Sequence, residues 1–379
     1  MNLALSDEQV MLREAARAAL SRVKTLEAAR AALDGKQSLP DLWPTACEAG
    51  WPGLLIDEQH GGAGLDAFDA MLVAEECGRV LAGVPLLGHL AATAILSTAA
   101  NATPFLPANA SGERRAAYLP ARPPADNDGA WSTERRSGLA RAPVPAVGPT
   151  DGDGRAAVEG ACAFVPDAPG ATVLVGAGER DGEIIAFAAL SEQPGVQIEP
   201  VMRYDATRSL AHVTFAGAQA VILDCPTDAL ASAWHLAQAL LAAESIGAVA
   251  SALEVTVQYA KDRYTFGRAI GSYQAVKHQL TEVLRRMENG RSLLYYAGFA
   301  YRGAPAEFPL AAAAARSVAG GALDYAARAM ISIHGGIGAT WEHDAPLYFR
   351  RAQLSRLLLG GTEQATDRVA GEVFALAAR

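Results

Sequence analysis

Apolar residues recur at helical spacing up to about residue 113, give way to short runs rich in Pro, Gly, Asp and Val up to about residue 224, and then return to helical spacing. A chain that reads all-α, then all-β, then all-α has few folds open to it. The pattern predicts an α+β multidomain protein: an N-terminal helical domain over 1–113, a small middle β-barrel or sandwich domain over 114–225, and a C-terminal four-helix-bundle-like domain over 226–379.

Local signals support each part. Ser6 and Gln9 have capping-box spacing, with Leu5 and Val10 placed for a hydrophobic staple, and Val10, Leu12, Ala16 and Leu20 line one face of a helix to about Val23. A second helix follows Pro40 and stops at Gly50. The glycine-rich stretch Trp51–Leu65 is an ordered loop. Helical spacing resumes at Asp66 and again over Leu87–Ala99. Strands are predicted at Ala171–Gly176, Glu183–Leu190, Gly195–Glu199 and Ala211–Phe215, whereas 121–153 is too rich in Pro, Gly and Asp to assign. A Thr227 cap opens a helix to about Lys261. Helices over Tyr273–Arg302 and Pro309–Ile333 follow, with two more beyond Trp341.

Composition excludes several functions. Net charge is -9 and no basic run occurs, so a nucleic-acid partner is not expected. Cys47, Cys77, Cys162 and Cys225 are widely separated, without zinc-ligand spacing or a disulfide framework, so reduced thiols and a cytoplasmic location are expected, with no metal. The first residues lack the basic and apolar regions of a signal peptide, and the apolar stretch Val84–Ala100 contains His89 and is short for a membrane span, so no membrane partner is expected.

Two segments carry candidate chemistry. Between Tyr259 and His278 the chain is basic, aromatic and punctuated by glycine. Arg263 offers a fixed fork of donors suited to a diphosphate, Phe266 a ring face, and Gln274 an amide for a base edge or phosphate. The plainer reading is a solvated Arg at a helix end and a Phe in a turn. In the second segment, Ser332-Ile-His-Gly-Gly-Ile-Gly338, Gly335 and Gly336 suit close approach of backbone amides to phosphate oxygens and equally suit a helix C-cap.

These segments resemble motifs of the acyl-CoA dehydrogenase family, and the resemblance extends from Leu5 to about Ala370. It includes the opening AGWPGLL-DEQHGGAGL run and the VAEECGRVLA helix. The resemblance implies the acyl-CoA dehydrogenase fold, FAD as cofactor, an acyl-CoA substrate and an electron-transfer flavoprotein as acceptor. It implies that Arg263, Phe266 and Gln274, with the Gly335–Gly336 loop, hold the diphosphate and adenine of a neighbouring subunit's FAD. Ser332 stands where the family usually has Gln. Thr133, in Trp131-Ser-Thr-Glu134, matches a Thr facing the flavin, although Arg135-Arg136 replace Pro-Gly. Phe164 takes an aromatic position beside the flavin, and Pro166 replaces a Thr. Thr362 matches the Thr of an Glu-Gly-Thr motif.

The family's reaction removes an α-proton from the thioester, which needs a base. Gly360 stands at the common base position and Ala237 at the other, and neither takes a proton, so no catalytic residue is assigned. Glu244 and Glu363 lie nearby in sequence with structural roles favoured, and His334 and His343 are bases on chemistry alone. The expectation is a base-less subunit of a heteromer, resembling the α2β2 steroid-type members and contributing half an FAD site to a homologous partner. Alternatives are an active homotetramer with a relocated base, a flavin monooxygenase on the same fold, and a non-catalytic scaffold.

Overall fold

The computed structural model describes residues 4–33, 39–122, 132–133, 141–202 and 204–377. The N-terminal part contains α1 (Asp7–Ser21), α2 (Thr25–Leu33), α3 (Trp43–Glu48), α4 (Ala67–Arg79), α5 (Leu86–Thr98) and α6 (Leu106–Ala110). Ser6 caps α1 as its spacing predicts: its hydroxyl accepts from the Gln9 N–H at 3.2 Å, and Gln9 Oε1 accepts from the Ser6 N–H at 3.1 Å. The short α2 and α6 carry too few turns for periodicity to reveal them. Helix α4 is buried on nearly every side, so its acids need partners. Arg17 meets Glu76 at 2.9 Å and Arg291 meets Glu75 at 2.8 Å.

The middle part contains β1 (Ala116–Leu119), β2 (Ser132–Thr133), β3 (Arg141–Ala142), β4 (Ala146–Val147), β5 (Arg155–Pro166), β6 (Val173–Arg180), β7 (Glu183–Leu190), β8 (Val196–Pro200) and β9 (Leu210–Ile222). Pairings β6–β4, β4–β5, β5–β9, β9–β7 and β7–β6 close a barrel, with β1 added to β6 and β8 to β9. Alternation sorts the side chains. Leu174, Phe187 and Phe215 fill the interior, while Val173, Val175, Ala186 and Ala188 face the helical core. The strand predicted at Ala211–Phe215 extends to Ile222, because Gly217 at φ 70° lets β9 bulge and continue against β5.

The last part begins with α7 (Ala229–Asp262). Its N-cap is Asp228, without a side-chain capping bond, rather than the expected Thr227. A hairpin of β10 (Tyr264–Thr265) and β11 (Arg268–Ala269) follows, then α8 (Gln274–Gly303), α9 (Phe308–His334), α10 (Ala345–Ser355) and α11 (Gly361–Ala377). Helix α7 is long and apolar enough to cross a membrane, but α4, α5, α8 and α9 pack around it. Small residues set its approach to α4: a Cβ on Gly78 would collide with the Glu244 carbonyl, and one on Gly247 with that of Glu75.

Candidate functional site

The basic segment after α7 folds as a tight hairpin. Phe266 at φ 52° and Gly267 at φ 77° are the two residues of its turn, both left-handed as a two-residue hairpin favours. Glycine adopts this backbone freely, whereas a bulky aromatic is strained there. The Phe266 side chain is nevertheless 92% exposed, and Arg263 and Gln274 are exposed as well. The base of the hairpin is firm: the Ile270 N–H donates to the Arg263 carbonyl at 2.8 Å, the Tyr273 hydroxyl donates to the Thr265 carbonyl at 3.1 Å, and Arg268 lies 4.1 Å from the Tyr273 ring centroid. A rigid support thus presents a guanidinium, an aromatic face and an amide outward.

The glycine turn lies beside it. Gly335, at φ 65°, caps α9 through its N–H to the Ile331 and Ser332 carbonyls, so the C-cap role is present. Among the described residues, a Cβ added to Gly335 or Gly336 would meet nothing within 4 Å beyond its own chain neighbours, and Ser332 is exposed. His334 joins the two segments: its ring stacks on Tyr259 at 4.2 Å and lies 4.2 Å from His343. Its Nδ1 bonds the Met330 carbonyl at 2.7 Å, whereas its buried Nε2 has no hydrogen-bond partner among the described residues. Burial lowers the pKa of both imidazoles. Arg263, Phe266, Gln274, Ser332, Gly335 and Gly336 therefore occupy one end of the helical unit. A fork of donors beside two open glycine amides fits an anionic diphosphate.

The remaining predicted residues lie elsewhere. Thr362 packs against Gly320, twelve residues before Ser332 on α9, or about 18 Å along the helix axis. Phe164, at φ 54°, packs edge-on to His212 with ring centroids 4.8 Å apart. Pro166 pairs with Leu210 in the barrel and has no N–H to offer. The Thr133 backbone pairs with Arg141, and its side chain lies outside the described part of the structure, as do Trp131 and Glu134–Arg136.

Gly360 follows Leu359, which is itself left-handed at φ 51°. A Cβ at Gly360 would meet Gln364 Oε1 and come 3.3 Å from Trp234. Ala237 is buried on the facing helix, and Gln238 Nε2 donates to the Leu359 carbonyl at 3.2 Å. Beside these residues the cavity lined by Trp234, His235, Gln238 and Gln364 has a volume of about 20 Å³. Sequence reasoning missed Trp234, because only the folded chain brings α7 to Gly360, and it missed Gln364, four residues on, because the left-handed turn at Leu359–Gly360 aims its amide back at Gly360.

Glu244 belongs to a buried ionic cluster. Its carboxylate pairs with Arg208 and lies 3.5 Å from Arg351 Nη1. Arg351 also reaches Asp205 at 3.2 Å and Thr207 Oγ1 at 2.7 Å. Burial opposes the charge of Arg208, but Glu244, Asp167 and Asp205 outweigh it and raise its pKa. Arg316, fully buried, donates to the Ser355 and Leu358 carbonyls and is pushed down to about 10 by burial. These contacts tie the barrel to α7, α9 and α10. Glu363 is exposed in the first turn of α11.

Family models described as the acyl-CoA dehydrogenase N-terminal and C-terminal domains match residues 6–121 and 229–374. Acyl-CoA dehydrogenase IpdE2 of Mycolicibacterium smegmatis is 32% identical over 373 residues, covering 98% of this chain and 100% of that protein. A solved variant of the Tcur3481–Tcur3483 steroid acyl-CoA dehydrogenase superposes with a TM-score of 0.85 at 26% identity, over 98% of this chain and 99% of that one. The ChsE4–ChsE5 complex of Mycobacterium tuberculosis gives a TM-score of 0.84 at 23% identity, with the same coverage, and shares the fold. The chain belongs to the acyl-CoA dehydrogenase family of flavoprotein oxidoreductases.

Proposed function

We propose that this chain is the base-less subunit of a heteromeric, FAD-dependent acyl-CoA dehydrogenase, with a homologous chain as partner. The observation that carries this reading is that neither base position, Gly360 nor Ala237, bears a proton acceptor, and a separation along one helix adds that the cofactor is shared. Ala237 and Arg263 are twenty-six residues apart, with α7 running from Ala229 to Asp262, so about 39 Å of helix rise divides the empty base position from the diphosphate-binding end. An extended flavin dinucleotide is shorter than that. Arg263, Phe266, Gln274 and the Gly335–Gly336 turn would therefore serve a cofactor whose ring lies in another subunit.

Bound FAD supplies the hydride acceptor for α,β-dehydrogenation. This chain's residues orient it: Arg263 neutralises diphosphate charge, Gln274 hydrogen-bonds the adenine end, and Phe266 covers a ring face. At its own Gly360, Trp234 and Gln364 take the space a base would use, and Ala237, buried on α7, has no proton acceptor of its own. The steroid-type heteromer named among the similar structures supports the partner assignment. An acyl-CoA of bulky apolar chain and an electron-transfer flavoprotein acceptor complete the reading.

The test is to purify the chain alone and co-expressed with a homologous chain carrying the base. FAD content and acyl-CoA oxidation are expected only in the co-expressed assembly. Robust turnover by the chain alone, or a flavin-free assembly, refutes the reading.

A further inference from the structure

The seam between the N-terminal helices and the barrel holds a concavity of about 240 Å³ that shares no residue with the flavin half-site. Its floor follows from strand alternation. Phe187, Ala189 and Ala220 point into the barrel, so their neighbours Ala188 and Val221 turn outward. Ala188 pairs with Val221 across β7 and β9, and Leu190 and Phe105 extend the same apolar surface. Gln193 fixes the edge, its Nε2 donating to the Leu190 carbonyl at 2.8 Å and the Gln219 carbonyl at 2.9 Å.

Two cations face this floor. Arg155 pairs with Val221 on the adjoining strand, and Arg114 is anchored by its N–H to the Ala108 carbonyl at 2.8 Å. Among the described residues, neither guanidinium forms an ion pair or hydrogen bond, and no acidic side chain lines the cavity. A larger cleft of about 420 Å³, farther along the barrel, lacks that bias: its Arg180 is held by Thr150, and Asp224 lines it. In a chain of net charge -9, two unpaired guanidiniums over an apolar floor make a local anion trap. Guanidinium forks suit carboxylate and phosphate, and seams between structural units are common ligand sites.

We propose that this seam binds a small amphipathic anion, with a carboxylate or phosphate head against Arg114 and Arg155 and an apolar body on Phe105, Ala188, Leu190 and Val221. The test is calorimetric titration of the full chain, in the assembly in which it is isolated, and of its Arg114→Gln/Arg155→Gln variant. Octanoate and octyl phosphate distinguish the two heads, and whichever binds more tightly to the unaltered protein identifies the one selected. The double substitution is expected to weaken that ligand at least tenfold. Octanol and inorganic phosphate, each lacking half of the recognition, are expected to bind at least tenfold more weakly. Hydrogen exchange should show protection over residues 186–193 and 217–222, which separates this site from any acyl pocket. Unchanged affinity in the variant, binding of neither amphiphile, or protection only outside those segments overturns the proposal.

Discussion

Replacing Glu244 with Gln tests the role of the buried ionic cluster. Arg208, Arg316 and Arg351 there face Asp167, Asp205 and Glu244, three cations against three carboxylates, all buried. The amide preserves side-chain volume, so no cavity arises; what changes is the charge, leaving three cations against two. Arg208 loses its paired carboxylate, and Arg351 keeps only Asp205 and Thr207. Breaking a buried pair in this way costs about 3–5 kcal/mol. An unfolding entropy of about 2 cal/mol/K per residue gives roughly 0.8 kcal/mol/K over the whole chain, so the melting temperature should fall by about 4–6 °C. Calorimetry on Glu244→Gln measures this directly. The Glu244→Gln/Arg208→Met double variant should recover at least half of the loss, because it removes the orphaned cation together with its partner. A shift below 1 °C in the single variant would refute the assignment of Glu244 to structure. Loss of turnover at unchanged stability would favour a relocated base instead.

Phe266→Gly should raise stability by about 1 kcal/mol by relieving a left-handed aromatic, yet reduce FAD retention in the assembly; denaturant midpoints and flavin absorbance read the two effects separately. Gly78→Ala should destabilise by about 1–3 kcal/mol, since the new methyl meets the Glu244 carbonyl and forces α4 from α7, and the urea midpoint reports it. Stability should also fall in acid. Burial lowers His89 to about 4, where its Nδ1 accepts from the Ala116 N–H, and burial with Arg368 lowers His235 to about 4. Both folded values lie below the ordinary 6.5, so the stabilisation is full above that pH and is lost as pH falls toward 4, by about 3 kcal/mol for each histidine. Melting temperatures across that window should drop steeply in the unaltered protein and less so in His235→Asn.

Local signals carried much of the fold. The Ser6–Gln9 capping box, the alternation of Glu183–Leu190 and the apolar length of α7 each specify an element through contacts made within a few residues. The hairpin at Phe266-Gly267 was legible only as a break, because an aromatic is a poor residue for the left-handed backbone it adopts. Strand β5 was not among the strands predicted from the sequence, and it is stabilised by pairing with β9, more than forty residues later.

The sequence by itself determined the family, the order of helical and β parts, and the absence of an ionisable side chain at Gly360 and Ala237, because these depend on residue identity and short-range spacing. Tertiary structure decided what packs around Gly360 and which residues surround the proposed half-site. Trp234 and Gln364 meet Gly360 from two different helices, and Glu244 finds Arg208 and Arg351 from the barrel and α10. The hairpin and the glycine turn are joined through Tyr259, whose ring stacks on His334 and whose hydroxyl donates to the His334 carbonyl at 3.4 Å. Apart from Gln364, four residues from Gly360, such contacts span tens to more than a hundred residues, and packing in three dimensions, rather than periodicity along the chain, brings them together.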